Sequence, residues 1–423
     1  MTPSIRLLGK RRFLPLFATQ FLGAFNDNLF KTAMVIFVTY YVYSDPTKEA
    51  TFNAIAGGIF ILPFFLFSAL AGQLADSMDK TRIIRIVKTA EIAIMVVGAV
   101  GILLHNVPLM LAALFAMGVH SSFFGPIKYA ILPQHLKKDE VLGGTGLVEA
   151  GTYCAILMGT IAGGLIPPAV AAGAVLTVAV LGRLTASTVP PAPPEPDAPI
   201  AKMDWHIVRA SIALVNGTMH IPRLFLAIVA ISFFWAEGAI LAAQFPPLVK
   251  NVLHANEQVA TLFLAIFSVG VALGSVLINR LLAGRVLAKY SPAAAIAMGL
   301  FILHLYWNVI HWPVTGGELM DLRTFVLIPQ AEWVMVDLFG VAVAGGMFVV
   351  PLYAFLTTTV HKSETARTVA ANNIVNSGAM VASALLLTLL VQAGVSVAET
   401  LLMVAVASPV AAWIAWKLHL ACD

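Results

Sequence analysis

The chain has 423 residues, of which 60% are hydrophobic and 11% are charged, and its formal net charge is +4. Its mean hydropathy of +0.90 is far above that of a soluble domain, in which about 25% of residues carry charge. This composition excludes a soluble domain and predicts a membrane protein with many spans, and the small net charge gives no reason to expect a nucleic-acid partner.

Hydropathy along the chain predicts an all-α membrane protein with about twelve transmembrane helices. A spanning helix needs about 20 largely apolar residues. Helices are expected because the apolar segments are too long for barrel strands and must satisfy their own backbone hydrogen bonds in lipid. The predicted span centres are Asn28, Leu62, Val96, Leu114, Ile156, Val178, Phe234, Phe267, Leu300, Val343, Leu385 and Val406.

The basic residues predict the orientation in the membrane. Most of the 25 lysines and arginines fall in segments that alternate spans place on one side. Lys48, Lys250 and Arg323 fall on the other side, and Lys31 lies within a span. Because basic residues are retained on the cytoplasmic side, both termini are expected to be cytoplasmic. No cleavable signal is expected, since residues 13–42 are too long for a signal-peptide core.

A proline-rich stretch divides the chain into two halves. Residues 189–199 cannot form a helix, because proline lacks the backbone N–H and clashes with the preceding turn. The following residues, 205–223, alternate apolar and basic side chains, which predicts a helix lying on the membrane surface. We therefore predict a six-helix half at residues 1–188, a cytoplasmic linker with an amphipathic segment at 189–222, and a second six-helix half at 223–423.

Internal similarity favours duplication of these halves. Residues 147–151 resemble residues 374–378, and alignment of the first span with the seventh sets Asp27 against Glu237. This arrangement is similar to the major facilitator fold, in which two six-helix pseudo-repeats hold a substrate site near the middle of the membrane.

The segment between the second and third spans resembles the loop motif of the same superfamily. It reads Gly-Gln-Leu-Ala-Asp-Ser-Met-Asp-Lys-Thr-Arg over residues 72–82, against Gly-x-Leu-Ala-Asp-Arg-x-Gly-Arg-Lys in the motif. The resemblance implies that Asp76, with Lys80 and Arg82, closes a cytoplasmic gate. Ser77 and Asp79 replace the usual Arg and Gly, so a weaker or differently connected gate is expected.

Most of the chain resembles the bacterial lysophospholipid transporter family of the major facilitator superfamily. The resemblance is carried by residues 20–28 and 72–76, by Gly-Pro-Ile-Lys-Tyr at 125–129, and by residues 146–150 and 234–235. The amino-acid sequence of the first half and of the seventh span resembles that of the subgroup fused to acyltransferase and acyl-carrier-protein synthetase domains. The resemblance implies that the chain flips lysophosphatidylethanolamine and lysophosphatidylglycerol from the outer to the inner leaflet for reacylation.

Catalysis by this chain is not expected. None of its ten histidines is followed by an aspartate five positions later, as the acyltransferase motif requires, and the histidines show no metal-ligand spacing. We therefore expect a monomeric transporter without a metal or cofactor, surrounded by membrane lipids. Reacylation is assigned to a separate acyltransferase or acyl-carrier-protein synthetase.

Polar residues inside the spans define the candidate substrate site. An ionisable residue near the bilayer centre costs about 2.5 to 3.5 kcal/mol, so it is retained where it pairs or performs a function. A zwitterionic lipid head asks for a carboxylate to bind its ammonium and a cation to bind its phosphate, which Asp27 and Lys128 provide. Gln244 stands where short, unfused relatives carry a basic residue. The substrate-binding residues are predicted to be Asp27, Asn28, Lys128, Glu149, Glu237 and Gln244, with Phe124 and Trp235 as an apolar wall for the tail.

The same residues also have structural interpretations. Asp27 and Lys31 are four residues apart in the favourable order and could neutralise each other, while Lys128 could extend to the cytoplasmic surface. Glu91 follows Lys88 by three residues, which predicts a structural pair. Helix-bridging amides are expected at Asn372, Asn373 and Asn376, and close packing is expected at Gly143, Gly144, Gly146, Gly151, Gly159, Gly163 and Gly164.

Two other functions remain open from the sequence. One is a proton-coupled exporter of amphipathic drugs, which would use Asp27 or Glu149 as its proton site. The other is a membrane scaffold that docks a reacylating enzyme through the cytoplasmic linker.

Overall fold

The structure is a computed structural model that describes residues 5–137, 140–193, 204–282, 287–313, 316–358 and 365–422. A 3₁₀ turn at Ile5–Gly9 precedes the first α-helix, and a π-helical turn at Val38–Val42 extends it. The α-helices in the described ranges are α1 (Leu14–Phe37), α2 (Pro46–Ser77), α3 (Lys80–Leu103), α4 (Val107–Ala130), α5 (Leu132–His135), α6 (Val141–Leu165), α7 (Pro168–Ser187), α8 (Ile207–Met219), α9 (Pro222–Asn251), α10 (Glu257–Leu281), α11 (Ser291–Ile310), α12 (Leu322–Val326), α13 (Pro329–Thr358), α14 (Thr365–Gln392) and α15 (Val397–Cys422).

The predicted spans coincide with the long helices. Every predicted span centre lies in a helix of 20 to 32 residues. Over the described residues, 11 helices are long and apolar enough to cross a membrane. The remaining predicted span is α6, whose described apolar part is Cys154–Leu165. The prediction of an all-α, multi-pass membrane protein is confirmed.

Packing divides the chain into two compact units. Unit 1 comprises Met1–Met34 and Leu62–Ser211, and unit 2 comprises Val35–Ile61 and Ile212–Asp423. The boundaries therefore fall inside α1, α2 and α8. The predicted halves at 1–188 and 223–423 are defined by chain order and internal similarity, and they stay a prediction.

Two glycines of α6 allow it to approach α1 closely within unit 1. A Cβ atom built on Gly159 would lie 2.4 Å from the carbonyl oxygen of Phe25, and one built on Gly163 would lie 2.6 Å from that of Leu29. Any larger residue at either position would force the two backbones apart. Close helix packing at these two glycines is confirmed, and it holds α6 against the part of α1 that carries the candidate polar residues.

A buried ion pair explains why the start of α2 belongs to unit 2. Glu49 Oε1 lies 2.6 Å from Lys250 Nζ near the end of α9, and the Glu49 side chain is 1% exposed. Asn251 donates a hydrogen bond of 2.7 Å to the other carboxylate oxygen. Lys250 also donates to the carbonyl oxygen of Thr39, at 2.5 Å. These contacts attach the end of the first span and the start of the second to α9.

Candidate functional site

The loop between α2 and α3 is anchored by a residue that departs from the superfamily motif. Asp79 Oδ1 accepts hydrogen bonds from the backbone N–H of Thr81, at 2.8 Å, and of Ala192, at 3.2 Å. The backbone N–H of Lys80 donates to the carbonyl oxygen of Ala192, at 3.0 Å. Asp79 therefore caps α3 and joins it to the segment that follows α7.

Of the three predicted gate residues, Lys80 has a buried side chain and Arg82 an exposed one. The side chains of Asp76, at the end of α2, and Glu149, in α6, lie outside the described residues. Their predicted roles stay predictions.

Asp27 is tied to α4 through one carboxylate oxygen. Ser121 Oγ donates to Asp27 Oδ2, at 2.5 Å, while Asp27 Oδ1 is buried and has no hydrogen-bond partner among the described residues. Lys31, one turn further along α1, interacts electrostatically with Asp27. Asn28 donates to the carbonyl oxygen of Ala24 in its own helix, at 2.8 Å. The contact with Ser121 orients the Asp27 carboxylate and leaves its second oxygen able to accept another donor.

A buried charged cluster continues from Ser121. His120 Nδ1 lies 3.3 Å from Ser121 Oγ, and His120 Nε2 lies 3.2 Å from Glu91 Oε2. The same Glu91 oxygen lies 2.5 Å from Lys88 Nζ, and the two side chains are 1% and 0% exposed. Asn26 donates to Glu91 Oε1, at 2.9 Å. The predicted Lys88–Glu91 pair is confirmed, and it forms one end of a chain of contacts across α1, α3 and α4.

Phe124 covers this cluster. Lys88 Nζ lies 5.4 Å from the centroid of the Phe124 ring, within the range of a cation–π interaction. The ring also stacks on His120, with centroids 6.5 Å apart and planes inclined by 7°. In the structure Phe124 is buried against charged groups, and its contact with a lipid tail stays a prediction.

Lys128 lies two helical turns from Ser121 on α4. Its Nζ atom is 3.4 Å from Thr152 Oγ1, and Thr152 donates to Gln20 Oε1, at 2.8 Å. Gln20 and Asp27 are likewise seven residues apart on α1, so α1 meets α4 directly at Asp27 and is connected to Lys128 through Thr152 of α6 at Gln20. Two turns correspond to about 10 Å along a helix axis. Asp27 and Lys128 thus present opposite charges at two levels within unit 1.

Two candidate residues of α9, Glu237 and Gln244, are buried and have no hydrogen-bond partner among the described residues. Glu237 is 3% exposed and Gln244 is 0% exposed. Among the described residues, neither the carboxylate oxygens of Glu237 nor the amide atoms of Gln244 have a partner, and Asn372 of α14 is in the same condition. A buried polar group without a partner is costly. These groups therefore differ physically from the connected polar residues of unit 1.

Trp235 belongs to a separate chain of contacts in unit 2. Its Nε1 atom donates to Tyr353 Oη, at 2.7 Å, and its side chain is 37% exposed. The Asn376 amide nitrogen lies 3.3 Å from the same hydroxyl, and Ser232 Oγ donates to Asn376 Oδ1, at 2.8 Å. The prediction that Asn376 bridges helices is confirmed, since these bonds connect α9, α13 and α14.

His120 and Ser121 carry no motif that marks them in the sequence, and Asn26 lies in the stretch at residues 20–28 that carries the family resemblance but has no role assigned to it there. Their signal is a pair of adjacent polar residues, His120 and Ser121, inside an apolar span, and an amide next to Asp27. A search for every polar side chain within a span, and not for charged ones alone, would have found all three.

Comparison with known proteins identifies the superfamily. The family model described as Major Facilitator Superfamily matches residues 16–384. The chain is 27% identical over 390 residues to the lysophospholipid transporter LplT of Citrobacter koseri, which covers 90% of this chain and 88% of that protein. It is 26% identical over 410 residues to LplT of Salmonella newport, and this match covers 93% of this chain and 92% of that protein.

Among solved structures, the POT family transporter PepTSo superimposes with a TM-score of 0.71 over 98% of this chain and 99% of that one. Its sequence identity is 12%, so this likeness shows the fold alone. Because the family model covers most of its length, the chain belongs to the major facilitator superfamily of membrane transporters.

Proposed function

We propose that this transporter flips lysophospholipids, namely lysophosphatidylethanolamine and lysophosphatidylglycerol, from the outer to the inner leaflet of a bacterial inner membrane. Relatives that share 26% and 27% identity over most of the chain are named lysophospholipid transporters. The observation that carries the proposal is the pair of opposite charges, Asp27 and Lys128, which lie about two helical turns apart among the polar side chains of α1 and α4.

The spacing of these charges suits a zwitterionic lipid head. Asp27 and Lys128 are separated by about two helical turns and are therefore not neutralised by direct contact. The second oxygen of Asp27 accepts the ethanolamine ammonium, and Lys128 binds the phosphate. The glycerol head has no ammonium, so Lys128 supplies the main contact for that lipid.

Further polar residues complete the proposed contacts. Glu237 and Gln244 are buried without partners among the described residues, and substrate groups satisfy them during transport. Gln244 contributes neutral hydrogen bonds at a position where short relatives carry a cation. Asn28 and Glu149 add polar contacts, and Phe124 and Trp235 contact the acyl chain.

A gate at the loop between α2 and α3 is part of the proposal. Asp76, Lys80 and Arg82 hold the cytoplasmic side closed, and Asp79 anchors the loop to Ala192. Asp76→Ala should shift the population toward an inward-open state because it weakens the closed form. Distance measurements between spin labels on the cytoplasmic ends of the two sequence halves should report this shift, and an unchanged distance distribution would remove Asp76 from gating.

A vesicle assay tests the proposed division of roles. Purified protein is reconstituted into liposomes, and the inward movement of each labelled lysolipid is measured for the native chain, Asp27→Asn and Lys128→Gln. Lys128→Gln should slow both lipids by a similar factor of at least several-fold, because both carry a phosphate. Asp27→Asn should slow the ethanolamine lipid more than the glycerol lipid. Asp45→Asn, the same change at an exposed position before α2, is the matched control.

Each other outcome has a defined meaning. Equal losses of both lipids in Asp27→Asn would reassign Asp27 to proton binding or to structural pairing with Lys31. Unchanged transport in Lys128→Gln would mean that Lys128 extends to the surface and that the phosphate is held elsewhere.

A proton-coupled exporter with Asp27 or Glu149 as its proton site is the second candidate. The observation that favours it is the connection of Asp27 through Ser121 and His120 to Glu91, which brings further ionisable groups close to Asp27. The same vesicles distinguish the two functions when a proton gradient is imposed. Gradient-driven export of an amphipathic dye without any lysolipid movement would favour the exporter. If neither the dye nor the lysolipid moves, the result would favour the membrane scaffold.

A further inference from the structure

A basic pocket opens at one end of unit 1, beside the start of α1, the start of α3 and the end of α7. Its volume is about 560 Å³. Arg11 and Arg12, which precede α1, and Arg85, in the second turn of α3, line it. The rest of its wall is formed by residues 187–191, at the end of α7 and just beyond it. The pocket therefore lies where the start of α1, the start of α3 and the end of α7 come together.

Two of these arginines are held in position by their own contacts. Arg85 Nη2 donates to the carbonyl oxygens of Ser187 and Val189, at 3.1 and 3.2 Å. Arg12 Nη2 donates to both carboxylate oxygens of Glu140, at 2.8 and 2.6 Å. A guanidinium group carries five N–H donors. Both arginines are thus fixed in place while retaining donors for a ligand.

The pocket carries an excess of positive charge. Glu140 is shared between Arg12 and Lys10, whose Nζ atom lies 2.5 Å from Oε1. Within the described ranges, no carboxylate lies at ion-pair distance from Arg11 or Arg85, and Arg11 makes no hydrogen bond there. Guanidinium groups bind phosphate oxygens in paired, parallel hydrogen bonds. The chemistry of the pocket therefore fits a phosphate-bearing anion.

Exposed apolar side chains lie close in sequence to the residues that line the pocket. Ile86 follows Arg85 directly and is 56% exposed, and Leu184, one turn before the end of α7, is 59% exposed. Leu181 and Leu14 are 46% and 44% exposed. These side chains lie on the same three helices as the pocket. They would contact acyl chains directly below a head group held by the arginines.

We propose that this pocket binds an anionic two-chain phospholipid, with its phosphate on Arg11, Arg12 and Arg85 and its chains on the surface formed by Ile86 and Leu184. Basic pockets between transmembrane helices at the cytoplasmic face bind the head groups of anionic lipids. The predicted orientation puts the pocket at that face. A free phosphate would share the arginine contacts but not the apolar surface. The site uses none of the residues proposed to bind the transported lipid.

Native mass spectrometry of the purified full chain tests the proposal. The protein is titrated with dioleoyl phosphatidylglycerol or dioleoyl phosphatidylcholine, which differ in head-group charge. Phosphatidylglycerol should bind more tightly. Each basic residue near a membrane surface contributes about five-fold to anionic lipid binding, so Arg11→Gln should weaken phosphatidylglycerol binding about five-fold, and Arg11→Gln with Arg85→Gln about 25-fold. Arg223→Gln removes an equal charge at the start of α9 and should leave binding unchanged.

Three results would overturn the proposal. They are equal affinity for the two lipids, an unchanged affinity in Arg11→Gln, and displacement of the lipid by an equal concentration of glycerol phosphate, which would assign the pocket to a soluble anion. Arg85→Gln also removes the contacts to Ser187 and Val189, so if it fails to fold, Arg11→Gln alone decides. Lysolipid transport is not part of the readout, and a failure of the proposed function leaves this test intact.

Discussion

The first and seventh spans place their acidic residues in different surroundings. Asp27 of α1 accepts a hydrogen bond from Ser121, which leads through His120 to Glu91 and Lys88. Glu237 of α9, the residue that sequence alignment sets against Asp27, is buried and has no hydrogen-bond partner among the described residues.

This difference shows that matched positions of a duplicated fold need not share one physical role. In unit 1, hydrogen bonds and ion pairs compensate much of the cost of burying charge, although Asp27 Oδ1 has no partner among the described residues, and the bonded polar residues also hold α1, α3 and α4 together. In unit 2, the cost at Glu237 is uncompensated by the described residues. A buried polar group without a partner reduces stability. We therefore expect Glu237 to serve a function other than stabilising the fold.

The largest effect is expected when the compensated charges of unit 1 are separated. Glu91→Leu leaves the Lys88 ammonium buried without its counter-ion, and breaking a buried pair in this way costs about 3 to 5 kcal/mol. The free energy of unfolding, measured by denaturant titration of the detergent-solubilised protein, should fall by that amount. His120 and Asn26 also lose a partner in this variant.

The double variant Lys88→Met with Glu91→Leu is the control. It removes both charges while keeping similar volumes, so it should recover most of the lost stability. If the double variant is as unstable as Glu91→Leu, packing around these side chains, and not the ion pair, stabilises unit 1.

Glu237→Gln should give a smaller effect of a different kind. The substitution replaces a buried carboxyl group that has no described partner with an amide of similar size, so the free energy of unfolding should stay the same or rise. Flipping of lysophosphatidylethanolamine should nevertheless fall at least several-fold, because the proposed contact with the substrate is weakened. Thermal unfolding and the vesicle assay are measured on the same preparation.

Glu318→Gln, the same change at an exposed position before α12, is the matched control and should alter neither quantity. A marked loss of stability in Glu237→Gln would show that the carboxylate has a structural partner. In that case, the contrast between the two spans would disappear.

The smallest effect is expected at the surface of unit 1. The hydrogen bond from Lys10, together with the backbone N–H of Lys137 and the charge of Arg12, lowers the pKa of Glu140 from 4.5 to about 2. A carboxyl group with a lowered folded-state pKa contributes stability above its unfolded pKa and loses it as the pH falls toward the folded value. This contribution should therefore be present above about pH 4.5 and decline toward pH 2.

Glu140→Gln should remove this part of the acid sensitivity. The shift in unfolding temperature between pH 6 and pH 3 is measured for the native chain and for the variant. The difference should be small, because exposed ion pairs contribute little. An identical pH dependence in both proteins would show that Lys10 and Arg12 do not stabilise the ionised carboxylate.

Local properties of the sequence were sufficient to predict the helices and the ion pair between Lys88 and Glu91, which are three residues apart. The bilayer requires long apolar segments with internal backbone hydrogen bonds, so hydropathy locates the spans. The spacing of Lys88 and Glu91 brings them together within one turn of any helix. The contact between Asp27 and Ser121 joins residues 94 positions apart, and no local pattern reveals which helices are neighbours.

The loop after α2 illustrates a second limit of sequence interpretation. Asp79 departs from the superfamily motif, which suggests a weakened gate. In the structure, however, it caps α3 and binds the backbone of Ala192. The partner lies beyond α7, far along the chain, so its identity depends on how α3 and α7 are placed side by side.

The contacts of α1 also constrain how the protein is made. Asn26 and Asp27 find Glu91 and Ser121 only after the ribosome has added 65 and 94 more residues. A charged residue at a helix centre costs about 2.5 to 3.5 kcal/mol on insertion, and α1 has a lower mean hydropathy than α3. We therefore expect α1 to stay close to the translocon until α3 and α4 emerge, so the insertion step as well as the folded state limits the polarity of α1.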